Sequence, residues 1–299
     1  MNQEPTAQAD QDELLALIGE LRPELHRYCA RLTGSVFDGE DVVQDTLATA
    51  SQMLGTLNAK PALRAWLFRI AHNRALDLMR GRTLRAAEPL EAAFDMADLD
   101  EPDPLEQLIR QEAIATAISR FVELPTPQRS AVILKDVLGH SLDDIAGLLD
   151  LSIDAVKGHL ARGRTRLREI NSRASASPVK RAYSAANRLY ADLFNRRDWD
   201  GLRALLADDV RLNQATHPVR TGASAGMFFT IYSQTPEIRL APAWLDGEEV
   251  IAVYEQGSES APHHVMRIDW RDGRIAIIRD FRYAAYVMDG AELVLEQGA

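Results

Sequence analysis

One cysteine in 299 residues, Cys29, excludes an internal disulfide framework and suits a reducing compartment. It lies in an apolar helical pattern and reads as a small buried hydrophobe. No basic start followed by an apolar run opens the chain, so no export signal is expected. No apolar stretch approaches the length that spans a bilayer, so no membrane partner is expected either. These absences point to a soluble protein of the cytoplasm. Metal chemistry has little support: His263 and His264 are adjacent, but no third ligand follows at a zinc spacing. Neither a metal nor a cofactor is expected.

What remains is ordinary in amount and unusual in arrangement. Hydrophobic content of 46% and charged content of 26% are those of a globular protein, and the length allows two or three domains. The net charge of −10 disfavours binding of free DNA. The charge is sorted into blocks, however. Lys60, Arg64, Arg69, Arg74, Arg80, Arg82 and Arg85 face only one acid, Asp77, across their stretch. Residues 88–106 then carry eight acids, no base and the prolines Pro89, Pro102 and Pro104. One charge sign and few apolar residues mark residues 86–107 as a flexible acidic linker.

The most informative segment is Leu124–Glu169. Val132, Ile133, Leu134, Val137 and Leu138 form one apolar stripe, and Leu142, Ile145, Leu148 and Leu149 continue it at helical spacing. Ser141 with Asp144 predicts a capping box, and Ser152 can cap the next helix. Asp150 and Leu151 between them give the turn length of a helix-turn-helix. The final helix becomes basic through Lys157, Arg162, Arg164, Arg166 and Arg168. A plain amphipathic helix with a solvated basic face is the alternative. The capped short helix and tight turn before it favour a duplex-DNA reader, because base edges are reached from the start of such a helix.

From Asp12 to about Arg85 the chain reads as helix throughout, with Gly34, Gly39, Gly55 and Pro61 as punctuation. A second helical unit runs from Leu108 to Glu169, and Asn171–Pro178 is a short Ser/Ala-rich tether. Val179–Asn195 and Trp199–Leu206 read as two further helices. Alternating runs follow at Asp209–Asn213, Glu249–Glu255, Val265–Trp270 and Arg274–Tyr283, the last two joined by a hairpin at Arg271-Asp272-Gly273. Helices followed by strands predict an α+β domain.

Three stretches resemble the extracytoplasmic-function sigma factors of bacterial RNA polymerase. Asp38-Gly-Glu-Asp-Val-Val-Gln-Asp45-Thr46 is similar to the family's polymerase-docking helix. Arg64-Ala-Trp-Leu-Phe-Arg-Ile-Ala-His-Asn-Arg-Ala-Leu-Asp77 is similar to its promoter-melting helix. Leu124-Pro, Arg129, Val137-Leu-Gly, Ile145-Ala, Ala155-Val-Lys157, Arg162, Arg164 and Leu167-Arg168 follow its region-four helix-turn-helix. Two motif sets in the right order, over roughly residues 12–170, make the resemblance specific. Residues 179–299 resemble the SnoaL-like cone, through texture and the segment Asp272–Asp280.

The resemblance implies two all-α helical domains, the second a helix-turn-helix, followed by an α+β cone-shaped SnoaL-like domain. Region two would span 12–85, the linker 86–107, region four 108–170 and the regulatory domain 179–299. Core RNA polymerase and promoter DNA are the implied partners. Asp38, Asp41, Gln44 and Asp45 would meet polymerase, although helix capping explains part of that acidic cluster. Asn58, Lys60, Arg64, Arg69, Asn73, Arg74 and Arg80 would hold the −10 strand, which needs a positive track and groups for unstacked bases. Trp66 and Phe68 are more simply core. Ser152, Asp154, Lys157, His159, Arg162, Arg164 and Arg166 would face the −35 duplex, with Lys157 or Arg162 able to read guanine. Gly158 stands where the family has a small polar or basic residue, which points to close backbone approach or relaxed recognition.

The cone is expected to modulate the helical domains by packing on them, the short tether keeping its effective concentration high. The linker and late motifs of the best-known extended groups are absent here. A small-molecule ligand is conceivable for the cone, but no residue pattern supports one. As an enzyme the cone would need a general base among Asp269, Asp280, His217, His263 and His264. Asp280, beside Arg279 and Arg282, reads instead as a surface pair or interdomain contact, so no catalytic residue is assigned. Two other classes stay open: a ligand-sensing helix-turn-helix regulator that binds duplex without polymerase, and a cyclase or isomerase fused to a DNA-binding module.

Overall fold

The computed structural model describes residues 4–53, 63–83, 104–173, 182–215, 217–235, 237–255, 257 and 261–295. The chain divides into two compact units, Met1–Ser175 and Ala176–Ala299.

The first unit is helical. α1 (Glu4–Thr33), α2 (Val36–Met53) and α3 (Leu63–Thr83) form its first half. Leu25, Tyr28, Cys29 and Leu32 on α1 meet Val42 and Val43 on α2 and Leu67, Phe68 and Ala71 on α3. Gly39 allows this closeness, since a Cβ there would lie 2.5 Å from the backbone nitrogen of Ala30. Cys29 is fully buried, and burial pushes its thiol up, away from the reactive thiolate.

α4 (Pro104–Ala115) begins four residues before the expected Leu108, because Pro104 is pre-shaped for the first turn of a helix. α5 (Thr126–Val132) runs into a wide π-helical turn, Ile133–Val137, closed by the Leu138 N–H donating to the Ile133 carbonyl at 3.0 Å. α6 (Leu142–Leu149) and α7 (Ile153–Ser172) are the predicted helix-turn-helix. Gly163 seats α7 on α5, where a Cβ would come within 2.6 Å of Val132 Cγ2. Val132, Ile133, Ile145, Val156 and Leu167 belong to the same buried cluster as the α1–α3 residues. The two helical segments therefore share one core.

The second unit is α+β. α8 (Ala185–Asn195) starts later than expected because Ser184 caps it, its hydroxyl accepting from the Asn187 N–H at 3.1 Å. Asp198 caps α9 (Trp199–Ala204) in the same way. The strands are β1 (Leu206–Gln214), β2 (Arg220–Thr221), β3 (Arg239–Leu245), β4 (Glu248–Tyr254), β5 (His264–Arg271), β6 (Arg274–Asp280) and β7 (Leu293–Leu295). α10 (Met227–Ser233) lies between β2 and β3. The sheet order is β2-β1-β6-β5-β4-β3-β7, antiparallel except for the parallel β1–β6 pair. Tyr190, Phe194, Phe228, Phe229 and Tyr232 from the helices pack on Leu240, Ile251, Val253, Met266 and Ile278 from the sheet. The Asp272-Gly273 turn forms as expected, with φ of +51° and +74°.

Candidate nucleic-acid interface

α3 carries its charge on the side away from the core. Arg69, Asn73, Asp77 and Arg80 are all exposed, and their spacing of four, four and three places them on one helical face. Arg74 is also exposed, 3.5 Å from the Thr49 hydroxyl. Arg64 pairs with Glu24 and lies 5.9 Å over the Phe68 ring. Phe68 is fully buried and packs edge-on against His140, which makes it core. Trp66 is half-buried against the same core. Asn58 and Lys60 lie outside the described residues.

His72 sits behind that basic face. The Tyr28 hydroxyl is 2.7 Å from its Nδ1, and burial followed by the nearby charge of Arg80 lowers its pKa to about 4. The ring is therefore neutral at physiological pH.

The helix-turn-helix is built by caps. The Ser141 hydroxyl accepts from the Asp144 N–H at 3.1 Å, and the Asp144 carboxylate accepts from the Ser141 N–H at 3.3 Å. That pairing holds the Asp144 carboxyl below the usual carboxylate range. Asp150 takes the left-handed conformation, φ +57°, that ends α6. Ser152 then caps α7 by accepting from the Ala155 N–H at 3.2 Å.

The start of α7 presents Ser152, Ile153 and Asp154 to solvent, with Lys157, His159 and Arg162 half-exposed behind them. His159 Nδ1 is 3.4 Å from the Arg162 guanidinium, and burial followed by that charge lowers its pKa. The guanidinium folds over Gly158, whose absent Cβ would be 3.4 Å from it. Arg166 and Arg168 are exposed. Arg164 is placed differently from its neighbours. Its guanidinium turns inward to grip both oxygens of Asp136 at 2.6 and 2.9 Å, and Asp136 has no solvent exposure.

The acidic cluster lies on α2. Asp38, Asp41 and Asp45 share a face, with Asp45 exposed and Asp41 half-exposed. Asp38 is engaged by Arg82 through both carboxylate oxygens. Gln44 reaches Glu40, which is buried and salt-bridged to Arg22 at 2.5 Å.

Two family models match these segments: sigma-70 region 2 over residues 17–85 and sigma-70 region 4 over residues 117–167. The RNA polymerase sigma factor CnrH of Cupriavidus metallidurans is 37% identical over 137 residues, covering 44% of this chain and 71% of that protein. The ECF RNA polymerase sigma factor SigM of Mycobacterium tuberculosis is 34% identical over 48% of this chain and 69% of its own length. The chain is an ECF RNA polymerase sigma factor. The similarity extends further in the mycobacterial ECF sigma factor SigG, which is 27% identical over 87% of this chain and 78% of that protein.

In this sigma factor the two regions touch, and one of the contacts uses Arg69, a residue expected to meet DNA. Arg69 donates to the Gly147 carbonyl on α6 at 2.7 Å, and His140 lies 3.5 Å from Glu24 on α1. Arg129 is buried and bonds the Leu32 carbonyl of α1 at 2.6 Å together with the Val122 and Leu124 carbonyls. Desolvation lowers its pKa to about 10, which still leaves it charged. Sequence reasoning placed Arg129 only within a motif. Its one structural signal was a cation just before an otherwise apolar stripe.

The polar residues of the second unit correct one expectation. Asp280 is not at the surface but buried at 1% exposure. Its carboxylate accepts from Gln214 Nε2 at 2.9 Å, the Tyr232 hydroxyl at 3.2 Å, His264 Nε2 at 3.0 Å and the Arg282 backbone N–H at 3.2 Å. Burial and the Asp280 charge push the Tyr232 hydroxyl well up, so it stays a donor. Asp269 bridges Arg267 and Arg279, and His217 is exposed against the Tyr283 ring.

Proposed function

We infer that this sigma factor directs core RNA polymerase to promoters, with α2 meeting polymerase, α3 holding the −10 strand and α7 holding the −35 duplex. One observation carries the reading. The solvent faces of α3 and of the start of α7 display the side chains such contacts need, on helices fixed by caps and a shared core. Arg164 is left out of this assignment, because its guanidinium is held by Asp136.

The compact unit has to open for this role. By their labels the −35 and −10 elements lie about 25 base pairs apart, roughly 85 Å of duplex at 3.4 Å per pair. A unit of 175 residues is about 40 Å across by the usual size scaling. Promoter binding therefore exchanges the Arg69–Gly147 contact for one to DNA, and polymerase supplies the energy that separates the regions. The overall charge of −10 supports the same dependence on polymerase, and a factor that acts on polymerase has its place in the cytoplasm with it.

The second unit is assigned a regulatory role, and Asp280 is not assigned as a catalytic base. A carboxylate offers about four acceptor positions, and Asp280 has four donors, which leaves none to take a substrate proton. The regulatory effect would lie in the balance between closed and open helical unit.

Reconstituted transcription with core polymerase on a promoter library tests these assignments. Lys157→Ala and Arg162→Ala should each cost about 1–3 kcal/mol of promoter-complex affinity and relax selectivity at one −35 position. Binding in gel shifts that is equally strong without polymerase would overturn the sigma-factor role. A chain ending at Pro178 should differ from the full chain in promoter-dependent output, and identical output removes the regulatory role.

A further inference from the structure

We propose that the second unit holds a zinc-class divalent cation between His263, His264 and Glu255. The sequence argued against this because no third ligand follows the histidine pair at a zinc spacing, and Glu255 precedes it with seven residues between. The sheet supplies the missing proximity. β4 and β5 pair with Val253 opposite His264, and the His263 N–H donates to the Val253 carbonyl at 2.8 Å. Glu255, just past the end of β4, is thereby brought to the start of β5. One ligand atom from each of the three residues lies within 4.8 Å of the others.

The histidine geometry is close to that of two ligands on one ion. Nδ1 of His263 and Nδ1 of His264 are 2.9 Å apart with the rings perpendicular. Two nitrogens bound tetrahedrally at about 2.0–2.1 Å to a common cation lie about 3.3 Å apart, so the two rings need to part by only about 0.4 Å to admit one. The His264 tautomer is set from behind. Its Nε2 faces the Asp280 carboxylate at 3.0 Å, so the proton sits there and the Nδ1 lone pair points at His263. A carboxylate behind a ligating imidazole is the usual supporting arrangement in zinc sites, since it orients the ring and raises its basicity. Gln214 and Tyr232 hold that carboxylate in turn.

The surroundings suit a cation that enters from solvent. His263 is exposed and Glu255 half-exposed, while His264 is fully buried. An ion there has an open side for a water ligand, and two imidazoles with one carboxylate match zinc in ligand softness. Arg282 is the competitor, lying 3.2 Å from Glu255 Oε1. Its guanidinium also lies 5.6 Å over the Tyr232 ring, a second favourable position when Glu255 turns to a metal. The simpler account is a hydrogen bond between the two rings, and it predicts no affinity for metal.

Zinc chloride titrated into the metal-free full chain, in competition with a chromophoric chelator, decides between them. One zinc per chain is expected to bind, with a rise in Tm. His263→Ala and Glu255→Gln should each weaken binding by at least about tenfold and reduce the Tm rise. His263 is exposed, so His263→Ala should melt like the unsubstituted chain without zinc, which separates lost ligation from lost folding. Absence of stoichiometric binding, or binding unchanged in both variants, overturns the proposal.

Discussion

Asp136→Ala is expected to destabilise the helical unit by about 3–5 kcal/mol, with Arg164→Ala close behind. Asp136 lies in the π-helical turn with no solvent exposure, and the Arg164 side chain is only 12% exposed. Both N–H···O bonds between them are short, which is the arrangement that offsets the desolvation of two charges. Removing one partner leaves the other charge buried and unanswered. Amide hydrogen exchange in α5 and α7 reads the change locally, unaffected by the second unit. Arg166→Ala is the control: that side chain is 47% exposed beside Glu169, so its loss should stay within about 0.5 kcal/mol. It should weaken promoter binding instead. Lost promoter affinity in Arg164→Ala with unchanged exchange would show that Arg164 serves DNA and not the fold.

That contrast shows what the linear sequence could and could not carry. Local chemistry was legible. Ser141, Ser152 and the Asp272-Gly273 turn act where short-range rules place them, and the α3 basic face follows from helical spacing alone. Long-range partners were not. Arg164 differs from Arg162 and Arg166 only through Asp136, 28 residues earlier. Asp280 looked superficial beside two arginines, yet Gln214 and Tyr232, distant in sequence, enclose it.

β3 was missed for a related reason. Pro242 argues against a strand, but β7 pairs only with Ala243–Leu245, so the proline stands on a side that needs no donor. α10, whose apolar run MFFTIYS has no readable period, was missed as well. The single core shared by the two helical segments was equally invisible, since each segment has a sufficient apolar stripe of its own.

Acidification should loosen α3 through His72. The ordinary histidine value is about 6.5 and the folded value about 4. Between them the unfolded chain binds a proton that the folded chain refuses, so stability rises with pH across that window and is lost as pH falls. The contribution is fully present above about pH 6.5. About 2 kcal/mol of it should be gone at pH 5, and about 3 kcal/mol below pH 4. The cause is geometric. Burial disfavours the imidazolium first, Arg80 opposes it second, and the Tyr28 hydroxyl needs a lone pair on Nδ1, 2.7 Å away. Burial pushes the Tyr28 hydroxyl up, so it cannot ionise to welcome a charged ring. His72→Gln keeps a polar partner for Tyr28 and removes the titration. Exchange of α3 amides, compared between the two proteins at the same pH, should show His72→Gln at its greatest disadvantage near pH 7.5. That disadvantage should shrink toward pH 5. Parallel curves for the two proteins would mean that His72 takes up its proton alike in the folded and the unfolded chain, with no lowered pKa. Since Arg69 and Asn73 flank this histidine on α3, the residues assigned to the −10 strand rest on a helix whose seating depends on a neutral ring.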